Sequence, residues 1–168
     1  MSESRKIGVG MTIAAWVGLL LVLTWAASIF LNKQENPNSS PQATHGADGK
    51  LQVMLQQNRA GHYVANGLIN QHQVRFLLET GATFVAIDKR LARKLGLELG
   101  PQRQMQTANG VVYGNATLLD EVSLGGISIE RVPAVVMPSL GDEVLLGMSF
   151  LRRLTLIQKG KTLLLQRE

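Results

Sequence analysis

The chain has 168 residues, with 17 Lys and Arg against 12 Asp and Glu, a formal net charge of +5, three histidines and no cysteine. The missing cysteine excludes a disulfide framework, a thiol nucleophile and a cysteine zinc site, and the dispersed His45, His62 and His72 argue against a histidine one, so neither metal nor cofactor is expected. The positive charge is spread out with no aromatic-plus-basic cluster, which predicts a mildly basic, solvated surface and no nucleic-acid binding.

Residues 1–6 carry Arg5 and Lys6, and residues 7–31 contain no charged side chain. A helix over that stretch rises about 37 Å at about 1.5 Å per residue, enough to cross a hydrocarbon core of about 30 Å. Ala26-Ala27-Ser28 offers the small residues of a signal-peptidase site, but the run exceeds the usual apolar region of roughly 7–15 residues, so an uncleaved signal anchor is expected. Positive charge on the short N-terminal side predicts residues 1–6 in the cytoplasm and the rest outside, which in a bacterium means the inner membrane with a periplasmic domain.

Residues 32–49 are polar, include Pro37 and Pro41, and read as a flexible linker to a domain at 50–168. From Leu51 the pattern is β. Leu51, Val53 and Leu55 alternate with Gln52, Met54 and Gln56, Asn58 to Gly61 supplies a turn, and 62–69 forms the next strand. After a polar turn at Asn70-Gln71-His72, Val74, Phe76 and Leu78 share one strand face. That strand ends in Glu79-Thr80-Gly81-Ala82-Thr83. A carboxylate at the end of a buried run needs donors, which Thr80, Thr83 and the amides of Gly81 and Ala82 could supply; an active-site acid and a satisfied structural acid both fit.

Phe84 to Ile87 is predicted as a short buried strand, Asp88 as an N-cap, and Gly96 as the stop of a short surface helix. Residues 102–107 are extended, and Ala108-Asn109-Gly110 is a strong hairpin signal that fits a mobile flap or a plain connection. Strands at 118–124 and 127–136 flank Gly125-Gly126, with Pro133 suggesting an edge or strand end. Val144-Leu145-Leu146-Gly147 is a second apolar strand stopping at glycine, Ser149 is a candidate cap of a short helix, and a hairpin over Lys159-Gly160 closes the domain. The stretch Gly147-Met148-Ser149-Phe150 lacks the second glycine of a serine-hydrolase elbow.

An apolar strand entering Thr80-Gly81-Ala82-Thr83, a strand and short helix, a central hairpin, and a late Leu145-Leu146-Gly147 element before a helix together resemble the retropepsin-like, single-lobe aspartic proteases, in particular their membrane-anchored bacterial members. The resemblance covers about residues 50–168. It implies a mainly β, closed barrel or sandwich with a flap hairpin and one or two short helices, preceded by one transmembrane helix. It further implies a homodimer acting on polypeptides, each copy giving one carboxylate to a dyad around a water. Glu79 would be that carboxylate, Thr80 would bond across the dimer, Gly81 would admit close backbone approach, and Thr83 would orient the acid. Ala82 and Thr83 together with Thr107, Ala108, Asn109 and Gly110 of the flap would hold the peptide, and Leu145, Leu146 and Gly147 would pack beneath the loop.

The family motif begins with aspartate where this chain has Glu79. Glutamate and aspartate differ by only about 0.4 in ordinary pKa. The extra methylene crowds the two-fold axis, so impaired activity is expected from geometry. A non-catalytic peptide-binding module on the same fold is the alternative.

Overall fold

The computed structural model describes residues 3–107 and 110–167 and divides the chain into two compact units, which meet between Glu35 and Asn36. The first is a single helix, α1 (Glu3–Glu35), whose Gly10–Glu35 portion is long and apolar enough to cross a membrane.

The second unit is mainly β. Strands β3 (Val64–Ile69), β4 (His72–Leu78), β9 (Val144–Leu146), β5 (Val85–Asp88), β8 (Ile127–Met137) and β7 (Gly110–Leu124) are neighbours in that order, and β7 pairs back onto β3 to close a barrel. Closure removes the unpaired edges that an open sheet would present. Strand β6 (Gln102–Thr107) pairs with the first part of β7 and extends from the ring as a hairpin. A second sheet runs β1 (Ala43–His45), β2 (Leu51–Gln56), β11 (Thr162–Arg167) and β10 (Leu154–Lys159). Its Val53, Leu55, Leu163 and Leu165 join barrel residues such as Phe76, Leu119 and Ile127 in one core. The helices of this unit are short, α2 (Lys89–Lys94) and α3 (Met148–Leu151).

Local chemistry explains the turns. Asn70 and Gln71 both take positive φ (47° and 68°) in the two-residue connection from β3 to β4, the geometry that matches strand twist in tight hairpins. Asp88 caps α2 by accepting the Arg90 N–H at 2.8 Å, and Gly96 at φ +65° follows its C-cap Leu95.

Four expectations are corrected. The polar segment at 32–49 is no free linker, because 32–35 continue α1 and the following residues are built into the domain. Asn36 and Asn38 are buried, and the Asn38 amide donates to Gln56 O (2.9 Å) and Val64 O (2.7 Å) while its Oδ1 accepts from Gln56 N (2.7 Å). Polar composition hid this, since these side chains satisfy backbone groups in place of a strand. The strand at 118–124 is the second half of the fifteen-residue β7. Pro133 lies inside β8, one residue before the β5 ladder opens at Ala134, so its missing N–H interrupts no bond to β5. Ser149 lies within α3, whose N-cap is Gly147, and its hydroxyl accepts the Val85 N–H at 2.9 Å.

Candidate active site

The turn carrying Glu79 is built by two strands that part around a third. β4 runs parallel to β9, pairing Leu77 with Leu145 and Leu78 with Leu146, while β5 meets β9 on its other side at Ala86 and Leu145. The chain therefore leaves β4, crosses residues 79–84 over the end of β9, and returns in β5. Glu79 N donates to Leu146 O at 3.2 Å, Met148 N to Ala82 O at 2.8 Å, and Ser149 N to Thr83 O at 2.9 Å. A Cβ on Gly147 would lie 2.3 Å from Phe84 O and 2.7 Å from Ala82 O, so only glycine lets the two loops approach this closely.

Glu79 itself is exposed in the single chain, which corrects the expectation of a carboxylate at the end of a buried run. The ladder holds its backbone and stops there, leaving the side chain outside the core. The Gly81 N–H donates to Glu79 Oε1 at 3.0 Å, and a Cβ on Gly81 would stand 3.0 Å from the same oxygen. Glycine here brings a backbone donor against the carboxylate without crowding it. Thr80 and Thr83 are exposed, and neither hydroxyl bonds to Glu79 in the single chain.

Among the other expected site residues, Ala82 and Thr83 lie in the braced turn, Leu145 and Leu146 in the strand beneath it, and Gly147 at its closest approach. Thr107 and Gly110 are paired at the end of the β6–β7 hairpin, with Gly110 at φ +107°. Ala108 and Asn109 lie outside the described residues.

Two supporting residues escaped the sequence reading in part. Ser149 ties α3 to the start of β5 through its buried hydroxyl. Asp88, 2% exposed, caps α2 and also accepts the Leu140 N–H at 3.1 Å, fastening the 138–143 loop to the end of β5. The Arg90 and Leu140 amides, helped by the Arg90 guanidinium at 3.1 Å, lower its pKa to about 2. A serine two residues beyond a glycine stop, and an aspartate closing an apolar strand, were the available signals. Among the described residues no cluster of His, Asp and Glu could hold a metal.

This arrangement of one closed barrel, a hairpin beside it and an acid on a turn braced by a late apolar-Gly strand is that of a retropepsin-like aspartic protease. The crystal structure of a retropepsin-like aspartic protease from Rickettsia conorii is similar, with a TM-score of 0.62 and 28% identity, covering 76% of this chain and 95% of that one. A profile of the gag-polyprotein putative aspartyl protease family matches residues 65–153, from β3 through α3, and the chain belongs to that family. It is 32% identical over 116 residues to an uncharacterized protein of the cobV 5′ region in Sinorhizobium sp, and 30% identical over 117 residues to an uncharacterized protein of Rickettsia prowazekii (strain Madrid E). These matches take in 67% and 68% of this chain, which spans about half (50%) of the length of each relative.

Proposed function

We propose that the chain is a membrane-anchored aspartic endopeptidase that works as a homodimer, hydrolysing peptide bonds with a water held between the Glu79 carboxylates of two copies. The observation that carries this reading is the placement of Glu79 on a turn braced from below by β9 and α3, with its carboxylate outside the core and an amide donor against it. Two carboxyls brought together cannot both ionise easily, so they share a proton; one activates the water while the other protonates the substrate. The exposed Thr80 is free to meet its counterpart in a second copy. The β6–β7 hairpin would close over an extended peptide and exclude water. The apolar portion of α1 supports a single span, with Arg5 and Lys6 favouring an inside N-terminus and a periplasmic protease domain.

Glu79 adds one methylene on each side of the axis. A misplacement of about 1 Å at a catalytic group costs on the order of 10²-fold in rate. Assayed as the full chain on a peptide library, Glu79→Asp is expected to exceed the unaltered protein, and Glu79→Ala to be inactive. If Glu79→Asp is folded, dimeric and as inert as Glu79→Ala, the protease reading fails. Glu79 also favours a second reading, a module that holds extended peptides by strand pairing without cutting them. Peptide binding without cleavage by both the unaltered chain and Glu79→Asp is the result that selects it.

A further inference from the structure

The four-stranded sheet sends one face into the core and leaves part of the other open. On the open side the register sets three cross-strand rows side by side: Gln52–Gln166–Thr155, Met54–Leu164–Ile157 and Gln56–Thr162–Lys159. The first row is partly covered, since Gln166 is buried and donates to Asp48. The middle row is apolar and outward, with Met54 60% and Ile157 48% exposed. Beside it, Lys159 and Lys161 are both exposed at the β10–β11 turn. An apolar stripe bordered by ammonium groups has the chemistry of a surface for anionic lipid headgroups.

The course of the chain favours the same occupant. Asn38 is fixed to both backbone groups of Gln56, the residue that begins the third row. Between Leu31, the last residue of the uncharged run, and Asn38 the chain advances seven residues. Even fully extended, that contour is at most about 25 Å. The chain joining the uncharged run to the Gln56 end of the sheet therefore spans no more than that length. A second copy is the poorer occupant, because a self-complementary contact would bring two sets of Lys159 and Lys161 into one interface.

We propose that this face docks on the bilayer surface, Lys159 and Lys161 meeting anionic headgroups and Met54, Leu164 and Ile157 resting at the headgroup boundary. The proposal rests on α1 being a membrane span. Docking would hold the domain against the bilayer and direct it to membrane-proximal polypeptides.

The absence of cysteine permits a direct test. The full chain carrying Ile157→Cys is labelled with an environment-sensitive fluorophore and reconstituted in vesicles of phosphatidylcholine, alone or with phosphatidylglycerol as about a quarter of the lipid, containing a nitroxide-lipid quencher. Matching samples carry the label through Leu118→Cys on β7 or Gly18→Cys in α1. The expected result is quenching at position 157 in the anionic vesicles, well above that at 118. In the same vesicles, adding Lys159→Gln and Lys161→Gln should lower the docking equilibrium constant by about 30-fold. Quenching at 18 without any excess at 157 over 118 overturns the docking alone. No quenching at 18 overturns the membrane span and the docking with it. A change at 157 in detergent that grows with protein concentration assigns the face to a second copy and also overturns the proposal.

Discussion

Gly147 and Phe84 stand so close that a Cβ on the glycine would lie 2.3 Å from the Phe84 carbonyl oxygen. The obstruction is backbone, with no flexible side-chain end to move aside. Gly147→Ala must therefore displace the turn that carries Glu79. Overpacking of this kind costs typically ~1–3 kcal/mol. Denaturant unfolding should place the variant within or above that range, and in a Glu79→Asp background it should lose peptidase activity as well. Unchanged stability would mean the loops have more room than their contact shows.

Asn38 replaces a strand with one side chain. Its amide satisfies two carbonyls and its Oδ1 one N–H, all from β2 and the start of β3. Asn38→Ala strands those backbone groups, and each buried unsatisfied group costs about 1–3 kcal/mol. The expected outcome is a loss of about 3 kcal/mol in unfolding free energy, with water repairing part of the damage. Limited proteolysis should show new cleavage between Asn36 and His45. An intact segment in the variant would make Asn38 dispensable.

Asp88 links stability to acidity. Its pKa is lowered from 3.8 to about 2 in the folded chain, because the charged form accepts from the Arg90 and Leu140 amides. A depressed carboxylate binds its proton more readily when unfolded. Its contribution is thus fully present above about pH 4 and is lost as pH falls toward 2. Thermal unfolding between those limits should decline less steeply in Asp88→Asn than in the unaltered chain, the variant being less stable at neutral pH. Parallel pH profiles would contradict this assignment.

Tyr63 Oη is buried without a hydrogen-bond partner among the described residues, although the Tyr63 carbonyl accepts from Leu78 N at 3.0 Å. Removing an unsatisfied buried hydroxyl while keeping the ring should raise stability by about 1 kcal/mol. Tyr63→Phe, followed by chemical denaturation, tests this. A destabilised variant would show that the hydroxyl is satisfied by solvent.

The strands were legible wherever side-chain alternation ended in turn chemistry. Asn70-Gln71, Gly125-Gly126 and Lys159-Gly160 mark real hairpins, and Val74, Phe76 and Leu78 share a strand as their spacing requires. The turn at Glu79 stood out for its mixture of acid, hydroxyls and glycine. Its exposure did not, because burial of the strand says nothing of the residue that follows it. The docked course of 36–45 was invisible for a different reason. Asn38 meets partners 18 and 26 residues away, and local composition carries no trace of such bonds. Ser149 was equally misleading, since its proximity to a helix start is local while its bond to Val85 spans 64 residues.

That last separation bears on when the site comes into being. The turn at 79–84 leans on β9 and α3, which the ribosome delivers only after the intervening strands. Closing so long a loop is slow relative to forming the neighbouring hairpins. An emerging or truncated chain ending before residue 144 lacks the brace altogether, so the acid-bearing turn is set in place only after β9 and α3 have been made. For the proposed peptidase, such late assembly would delay competence until those two elements are in place.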